Sequence, residues 1–497
     1  MTIELSSPIL RRRISGLLAA IVVALCAAPA AAQSSLQQRL EAHVTYLASS
    51  DLEGRGNGSQ GLREARNYVA GQMEQIGLEP GGTDGYFSAL EAVTRAELSR
   101  DLALEMGKQV LAEGVEFSPA AFSDGGDFAA EAVFVGYGLS APLAGYDDYA
   151  GVDVDDKVVV ALTGAPDDIE RALDQREAGY LLSSGSKAAV ASSFGARAII
   201  LVNDPRGHGE HSDQRPDKLS TLRPAPALEG ISAAHLTARA AARAFSQVGV
   251  DLGELQRQID RAGEPASLPL QLEVRGNLSI ERQTSTIYNV VGLLPGAADA
   301  SGEALVATAH YDGLGFGHAG SLVDERASSG HDKLHPGADD NASGVAVLLE
   351  TARALVDDPP TDPRPVVFAT PVGEELMLRG SRRLARQLVE RFGGGTVVNL
   401  DMVGRLRDDT LHVAHDEPLA TITADASRQA NLTVDTGRLE ERFTDHIAFV
   451  DLGFRALNLT TGRHGDYHVP GDTIDKINWS GMVRVTRFLE QVLRDLS

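Results

Sequence analysis

Short, largely apolar runs alternate with helical patterns in the second half of the chain, from about residue 287 onward. The runs have strand length: Tyr288–Leu294, Ala304–Ala309, Val366–Thr370, Val397–Leu400 and Ala456–Leu459. Between and after them, apolar residues recur at helical spacing after 340, after 379 and in 480–495. Apolar strands that alternate with helices indicate a sheet covered on both faces. The pattern predicts an α/β domain with a mixed, mostly parallel sheet and helices on both faces.

The first half of the chain shows two different patterns. Leu36–Ala48 and Gly61–Ile76 have helical spacing of apolar residues, and a glycine-rich stretch, residues 51–59, lies between them. From about residue 99, short β-branched runs are separated by Gly, Pro and Asp, which is typical of a β-rich domain. We therefore predict one discontinuous domain, residues 33–110 and 266–497, with an inserted β-rich domain at 111–265. The runs that mark the insert are Ala132–Tyr137, Lys157–Leu162 and Ala198–Val202.

The N-terminus has the order of a secretory signal. Three arginines, Arg11 to Arg13, precede the apolar run Ile14–Leu25, and small residues end at Ala32. The run is too short to span a membrane, so we predict a signal peptide, residues 1–32, cleaved after Ala32, and a periplasmic or secreted protein. Lipidation at Cys26 and a twin-arginine route are the alternatives.

Charge and cysteine content narrow the possible functions. The formal charge is -24, and removal of residues 1–32, with three arginines and one glutamate, makes it -26. So acidic a chain is a poor partner for nucleic acid or anionic membranes. Cys26 is the only cysteine, so the exported chain must fold without disulfides. No later apolar run is long enough to span a bilayer.

An acidic motif lies at the start of a predicted helix. His335–Gly344 places Asp339 and Asp340 between glycines, directly before the apolar pattern Val345–Leu355. These carboxylates therefore lie on the turn that enters the helix. An Asx turn or helix cap is the structural alternative for the motif.

Polar clusters also follow four of the predicted strands. Because the carboxyl ends of strands in open α/β sheets meet at one crevice, we expect these clusters to lie close together. Each alone could be structural, but their joint position predicts a site. The clusters are His310-Tyr311-Asp312, Glu374-Glu375, Asp401 and His468.

Carboxylate and imidazole groups without thiolates favour a pair of zinc ions. The candidate ligands are His310, Asp339, Glu375, Asp401 and His468. The three carboxylates among these ligands would carry three negative charges against the four positive charges of two zinc ions, so the site would stay positive. Water bound to such metals ionises near pH 7.

Neighbouring groups are expected to have separate roles. Adjacent side chains at a strand end point in different directions, so one of Glu374 and Glu375 would bind metal while the other acts as the general base. Asp312 is expected to accept the ring N–H of His310 and so assist catalysis by fixing its tautomer.

Six motifs in this order resemble the co-catalytic dizinc aminopeptidases, whose wider family includes glutamate carboxypeptidase, glutaminyl cyclase and the transferrin receptor. Residues 120–255 resemble the protease-associated domain that is inserted in this family. The motifs are Ala309-His-Tyr-Asp, Gly337-Ala-Asp-Asp-Asn-Ala-Ser-Gly, Gly373-Glu-Glu-Leu, Asn399-Leu-Asp-Met-Val-Gly-Arg, Thr444-Asp-His and Asp466-Tyr-His-Val-Pro-Gly-Asp-Thr.

The resemblance implies specific roles. Asp339 would bridge both zincs, with a cis bond between Asp339 and Asp340. His310 and Asp401 would complete one site, and Glu375 and His468 the other. Glu374 would be the general base of an exported aminopeptidase that acts on peptides. The sequence departs from common family residues at Gly313, Pro336 and Pro371-Val372, which leaves substrate preference open.

Three other functions stay open from the sequence. A carboxypeptidase or dipeptidase of the glutamate carboxypeptidase kind would use Arg463 to pair with a substrate carboxylate. A glutaminyl cyclase usually lacks the insert. A receptor-like binding protein would have lost ligands, whereas all five candidates are present.

Asp445 and His446 could touch substrate or brace their loop, and the nearby apolar side chains could line a pocket or form core: Phe443, Ile447, Phe449 and Phe454.

Overall fold

The chain forms two compact units in a computed structural model. The structure describes residues 35–141, 145–166, 168–169, 182–203, 227–296, 302–317, 322, 334–361, 364–416, 419–437 and 444–497. The predicted signal peptide, residues 1–32, and Phe443 lie outside the described residues. Within the described ranges, no helix is both long and apolar enough to cross a membrane.

The first unit contains a nine-stranded mixed sheet. Eight strands follow the order β1-β13-β15-β14-β16-β19-β17-β18, and β2 pairs with β13. The four central strands, β15, β14, β16 and β19, are parallel to one another. The strands are β1 (Glu79–Pro80), β2 (Phe87–Leu98), β13 (Ile280–Leu294), β14 (Ala304–Thr308), β15 (Val366–Thr370), β16 (Gly395–Leu400), β17 (Thr410–His415), β18 (Thr433–Gly437) and β19 (Arg455–Thr460).

Helices accompany this sheet close to the positions that the apolar spacing predicts. Short 3₁₀ turns lie at Ser50–Arg55 and Ile474–Lys476, and one π-helical turn at Ala338–Ser343. The α-helices of this unit are α1 (residues 35–47), α2 (Gln60–Ile76), α6 (Gly344–Asp357), α7 (Arg379–Phe392), α8 (Ala420–Ala430), α9 (His446–Val450) and α10 (Trp479–Leu496).

Burial explains why the central strands are largely apolar. Every residue of β14 and β15 is buried, and successive side chains of a strand point to opposite faces. One face packs against α7 and α9 through Val306, Val367, Leu384 and Phe449, while α6 contacts the same central strands. Both faces are therefore covered, as the strand composition predicts.

The second unit contains an eight-stranded sheet, in the order β4-β3-β12-β6-β9-β10-β11-β5. Its helices are α3 (Ser184–Ser193), α4 (Ala238–Ser246) and α5 (Leu252–Ala262). The strands are β3 (Ala103–Met106), β4 (Gln109–Val110), β5 (Phe117–Pro119), β6 (Asp127–Phe134), β9 (Val158–Leu162), β10 (Ala198–Val202), β11 (Ser232–Leu236) and β12 (Leu268–Asn277), and β7 (Ser140–Ala141) and β8 (Tyr146–Asp147) form a separate pair.

The second unit is longer than the insert expected at 111–265. Its main segment is Glu91–Thr286, so its boundaries fall within β2 and β13. The difference arises because β3, β4 and β12, which the sequence placed in the discontinuous domain, pair within the second unit's sheet.

A buried carboxylate joins α1 to α6. The side chain of Glu350 on α6 is fully buried and accepts hydrogen bonds from Arg39 at 2.5 Å and Arg353 at 3.3 Å. The ring of His43 lies 3.2 Å away. Burial alone would raise the pKa of Glu350, but His43 and Arg39 outweigh it and hold the pKa below its usual value. Ionised Glu350 therefore stabilises the folded protein.

We expect Glu350→Gln to lower the free energy of unfolding by about 2 kcal/mol at pH 7, because it weakens the hydrogen bonds between a buried carboxylate and its charged partners. Since folding depresses the pKa of this carboxyl, its contribution is present above the unfolded-state pKa of about 4.5 and is lost as pH falls through the folded-state pKa. Urea unfolding at pH 7 and pH 3, on chelator-treated proteins, should show the difference from wild type shrinking at pH 3. Glu490→Gln, which removes a part-exposed pair on α10, should have an effect under about 0.5 kcal/mol. A constant difference across pH would contradict this role.

Candidate metal centre

The predicted site residues gather where the central strands end. His310 follows β14, Glu374 and Glu375 follow β15, and Asp401 follows β16 directly. His468 lies on the loop after β19. Because these four strands are parallel neighbours, their carboxyl ends lie at one edge of the sheet.

Two groups of potential metal ligands share one carboxylate. The first group is His310, Asp340 and Asp401, and the second is Asp340, Glu375 and His468. Nε2 of His310 lies 3.3 Å from Oδ1 of Asp340 and 3.8 Å from Oδ1 of Asp401. Nε2 of His468 lies 3.3 Å from Oδ2 of Asp340 and 3.5 Å from Oε1 of Glu375. Asp340 thus offers one oxygen to each group.

The structure corrects the expected position of Asp339. Its carboxylate does not join either group; it accepts hydrogen bonds from the Gly404 amide at 2.6 Å and the Ser343 hydroxyl at 3.0 Å. The cis bond also differs from expectation, because it joins Asp340 to Asn341. Asp340 and Asn341 leave helical geometry inside the π turn, and this irregular turn selects the carboxylate that faces the histidines.

Asp472 holds this turn in place. Its Oδ2 accepts the backbone N–H groups of both Asp339 and Asp340 at 2.9 Å, and its Oδ1 accepts a hydrogen bond from Arg405 at 2.6 Å. Arg405 also bonds Asp466 at 2.7 Å. All three residues belong to the six motifs, but no role was predicted for them; Asp472-Thr473, close after His468, was the available signal.

Asp312 is fully buried and connects β14 with the glutamate pair. Its carboxylate accepts the backbone amides of Glu374 at 3.2 Å and Glu375 at 3.3 Å. Nδ1 of His310 bonds the backbone oxygen of Asp312 at 3.3 Å, and the carboxylate lies farther away, at 3.7 Å. Asp312 therefore positions the glutamate turn, and the His310 ring N–H that its carboxylate was expected to accept bonds its backbone oxygen instead.

Arg55 holds the backbone of the site in place, and this role was not predicted from the sequence. It lies in the glycine-rich stretch after α1 and is completely buried. Its guanidinium donates hydrogen bonds to the carbonyls of Tyr311, Pro336 and Gly337 at 2.8 to 2.9 Å. It thus fixes the backbone beside His310 and before Asp340. Only the glycines around it hinted at close backbone approach.

Burial and charge shape the ionisation of the two histidines. Burial alone would lower the pKa of His310, but Asp312, Asp340 and Asp401 outweigh it and raise the pKa well above the usual value. The pKa of His468 is likewise raised, to about 10, by Asp340 and Glu375 against the effect of burial. The two groups of potential metal ligands therefore attract positive charge strongly.

Glu374 has a carboxyl that retains protons readily. Burial raises its pKa well above the usual value, and the charges of Glu375, Asp401 and Asp445 add to the effect while His310 opposes it. Burial is also the main cause that raises the pKa of Asp445 to about 7. Both Asp445 and His446 are fully buried.

A cavity of about 420 Å³ opens beside Asp340, Glu374 and Asp401. The rings of Tyr467 and His468 stack at its edge with centroids 3.8 Å apart. The apolar side chains considered as a pocket are partly core, since Phe449 and Phe454 are buried and pack edge to face, 5.4 Å apart. The cavity lining is accordingly more polar than the sequence suggested, with Thr444, Asn458 and Thr460 among its residues.

The donor set fits zinc. It combines imidazole nitrogen with carboxylate oxygen, as zinc prefers in catalytic sites. Buried and half-buried carboxylates converge on two imidazoles, and such crowding of negative charge is stabilised by bound cations.

The chain is similar to known peptidases. Residues 289–493 match Peptidase family M28. Aminopeptidase YwaD from Bacillus subtilis (strain 168) is 25% identical over 357 residues, which cover 69% of this chain and 63% of that relative. The match therefore spans less than two thirds of the relative's length.

Solved structures resemble the chain over most of its length. An aminopeptidase from Aneurinibacillus sp. strain AM-1 has a TM-score of 0.59 at 22% identity and covers 93% of both chains. A zinc aminopeptidase from Bacillus subtilis has a TM-score of 0.51 at 18% identity and covers 92% of this chain and 95% of its own. These likenesses confirm the predicted α/β fold.

Proposed function

Because residues 289–493 match Peptidase family M28, we propose that this chain is an exported zinc aminopeptidase that removes N-terminal residues from peptides. The export part of the proposal comes from residues 1–32. We further propose that the second unit is a protease-associated domain, because residues 120–255 resemble that domain through Val135-Gly-Tyr-Gly, Tyr146-Asp-Asp-Tyr and Gly195-Ala-Arg-Ala-Ile-Ile.

Two zinc ions are proposed, held by residues of both groups. His310 and Asp401 would bind one ion, Glu375 and His468 the other, and Asp340 both. Zinc bound there would polarise a substrate carbonyl and lower the pKa of water. Three carboxylates against four positive charges would leave the centre with one positive charge, which suits a site that must stabilise negative charge during peptide hydrolysis.

Glu374 is proposed as the proton-transfer group. It follows Gly373 on the same turn as Glu375, but its carboxylate belongs to neither ligand group. With a raised pKa it can take a proton from water at a carboxylate oxygen and later release that proton to the leaving amine. Asp312 supports this role by accepting the Glu374 amide.

One observation carries the proposal: a single buried carboxylate, Asp340, offers its two oxygens to two separate histidine and acid groups. Burying several acids beside two imidazoles is costly unless cations balance their charge. The same observation argues against a receptor-like binding protein, which would not need the full set of ligands.

The test is hydrolysis of a panel of aminoacyl p-nitroanilides by the purified protein. We expect activity that chelation removes and added zinc restores. N-acetylated anilides serve as the matched control and should not be cleaved, because they lack the free amine. Absence of hydrolysis on every anilide with zinc restored would contradict the proposal, and preferential cleavage of N-blocked peptides with a free C-terminus would favour a carboxypeptidase instead.

A further inference from the structure

Arg463 lines the cavity beside the proposed zinc centre. Among the described residues that line this cavity, it is the one arginine or lysine. Its guanidinium carbon lies 4.8 Å from the centre of the Tyr467 ring, which stacks in turn on His468. Arg407 donates a hydrogen bond to the Arg463 carbonyl at 3.2 Å and so fixes the backbone there. The cation is therefore held in place at the cavity.

The positive charge of Arg463 is not neutralised by an acid of the described chain. Within the ranges that the structure describes, no carboxylate lies within 4.0 Å of its guanidinium, although other arginines near the site have such partners: Arg405 pairs with both Asp466 and Asp472. Arginine presents a planar set of donors that matches a carboxylate. An exposed arginine that is stacked on an aromatic ring retains this donor capacity for a ligand.

A second, independent feature of the cavity is an unused hydrogen-bond donor. Asn458 is 1% exposed and lines the cavity. Its carbonyl oxygen accepts from Asn399 at 3.0 Å, and Asn399 in turn accepts from Thr308 at 2.8 Å. This network fixes the orientation of the Asn458 amide and uses its oxygen. The amide nitrogen, Nδ2, is left to donate a hydrogen bond and has no partner within the described residues. A buried amide donor is costly to leave unpaired.

From these two features we propose that the cavity selects peptides whose N-terminal residue has a side-chain carboxylate, aspartate or glutamate. The inference rests on the proposed aminopeptidase function and adds its substrate class. Arg463 would pair with the carboxylate, and the Asn458 amide and the Thr460 hydroxyl would provide a polar wall. The three ligand carboxylates would not repel such a substrate, because two bound zinc ions would set four positive charges against their three negative ones.

The experiment compares kcat/KM for glutamyl, glutaminyl, leucyl and lysyl p-nitroanilides on the zinc-loaded full-length protein. Glutamine has the shape of glutamate without its charge, so the ratio of glutamyl to glutaminyl rates isolates the carboxylate. We expect this ratio to be about tenfold in wild type, which corresponds to about 1.4 kcal/mol, and close to one in Arg463→Gln. Arg463→Glu should favour the lysyl anilide over the glutaminyl one. Arg428→Gln, an exposed arginine of α8, is the matched control and should keep the wild-type ratio.

A second arm identifies the source of the carboxylate. Leu-Gly and Leu-Gly-amide differ only in the C-terminal carboxylate. If Arg463→Gln slows Leu-Gly relative to its amide and leaves the glutamyl-to-glutaminyl ratio unchanged, Arg463 recognises the C-terminus and the inference is wrong. A ratio near one in wild type also overturns it while the aminopeptidase proposal stands. Failure to hydrolyse any anilide overturns both.

Discussion

Glu374→Gln is expected to lower kcat on a leucyl anilide by about a thousandfold while the protein keeps its zinc. General base catalysis contributes on the order of 10² to 10⁴ in rate, and the glutamine amide cannot accept a proton. Glu374 also stands outside both ligand groups, so metal content should not change. The measurements are kcat under substrate saturation and zinc per chain by elemental analysis.

Glu390→Gln is the control for the Glu374 variant, because Glu390 is an exposed residue of α7, the helix that follows the same turn. It should match wild type in both measurements. A decrease of less than about tenfold for Glu374→Gln would rule out the proton-transfer role. Loss of zinc would show that Glu374 is a ligand.

Asp340→Asn is expected to reduce zinc binding more than any substitution outside the metal centre. The amide removes one negative charge and one of the two oxygens that the two groups share. Changes in residues that merely support ligands cost about 10- to 100-fold in affinity, so loss of the shared ligand should cost more than about 100-fold. Zinc affinity is measured by competition with a chromophoric chelator, and the hydrolysis of the leucyl anilide should fall in parallel.

Asp339→Asn provides the matched control one residue earlier. The Asp339 carboxylate accepts the Gly404 amide and the Ser343 hydroxyl, and an asparagine oxygen can accept the same bonds. This variant should therefore retain both zinc ions. The opposite pattern, with zinc lost in Asp339→Asn and kept in Asp340→Asn, would restore the ligand set that the sequence suggested.

Most of the candidate site could be predicted because it depends on strand order and polarity. Apolar strands of a covered sheet end where polar residues begin, and parallel neighbours end together. His310, Asp401 and His468 follow this rule, and the structure brings them to the same edge. Local sequence was sufficient to place these residues at that edge, because each follows a strand whose apolar pattern can be recognised in the sequence.

The choice between Asp339 and Asp340 could not be made by the same reasoning. Both are carboxylates on one turn, and the direction of each depends on the backbone angles inside that turn. Those angles are stabilised by Asp472, which is more than a hundred positions away in the chain. Arg55 was missed for a similar reason, since its partners are carbonyl groups that have no signature in the sequence.

The boundaries of the second unit also could not be predicted from the local sequence pattern. Strand composition identifies the strands, but it does not specify which sheet each joins. β12 belongs to the second unit because it pairs with β3 and β6, and pairing partners are far apart in sequence.

The Asp472 contacts have a consequence for how metal loading affects the protein. The carboxylate that secures the Asp340 turn lies on the same loop as His468, four residues farther along the chain. Two ligands from distant segments are therefore preorganised by protein contacts alone. Little conformational entropy remains to be lost when ions enter, so the metal-free protein should have the same backbone around the centre as the loaded one.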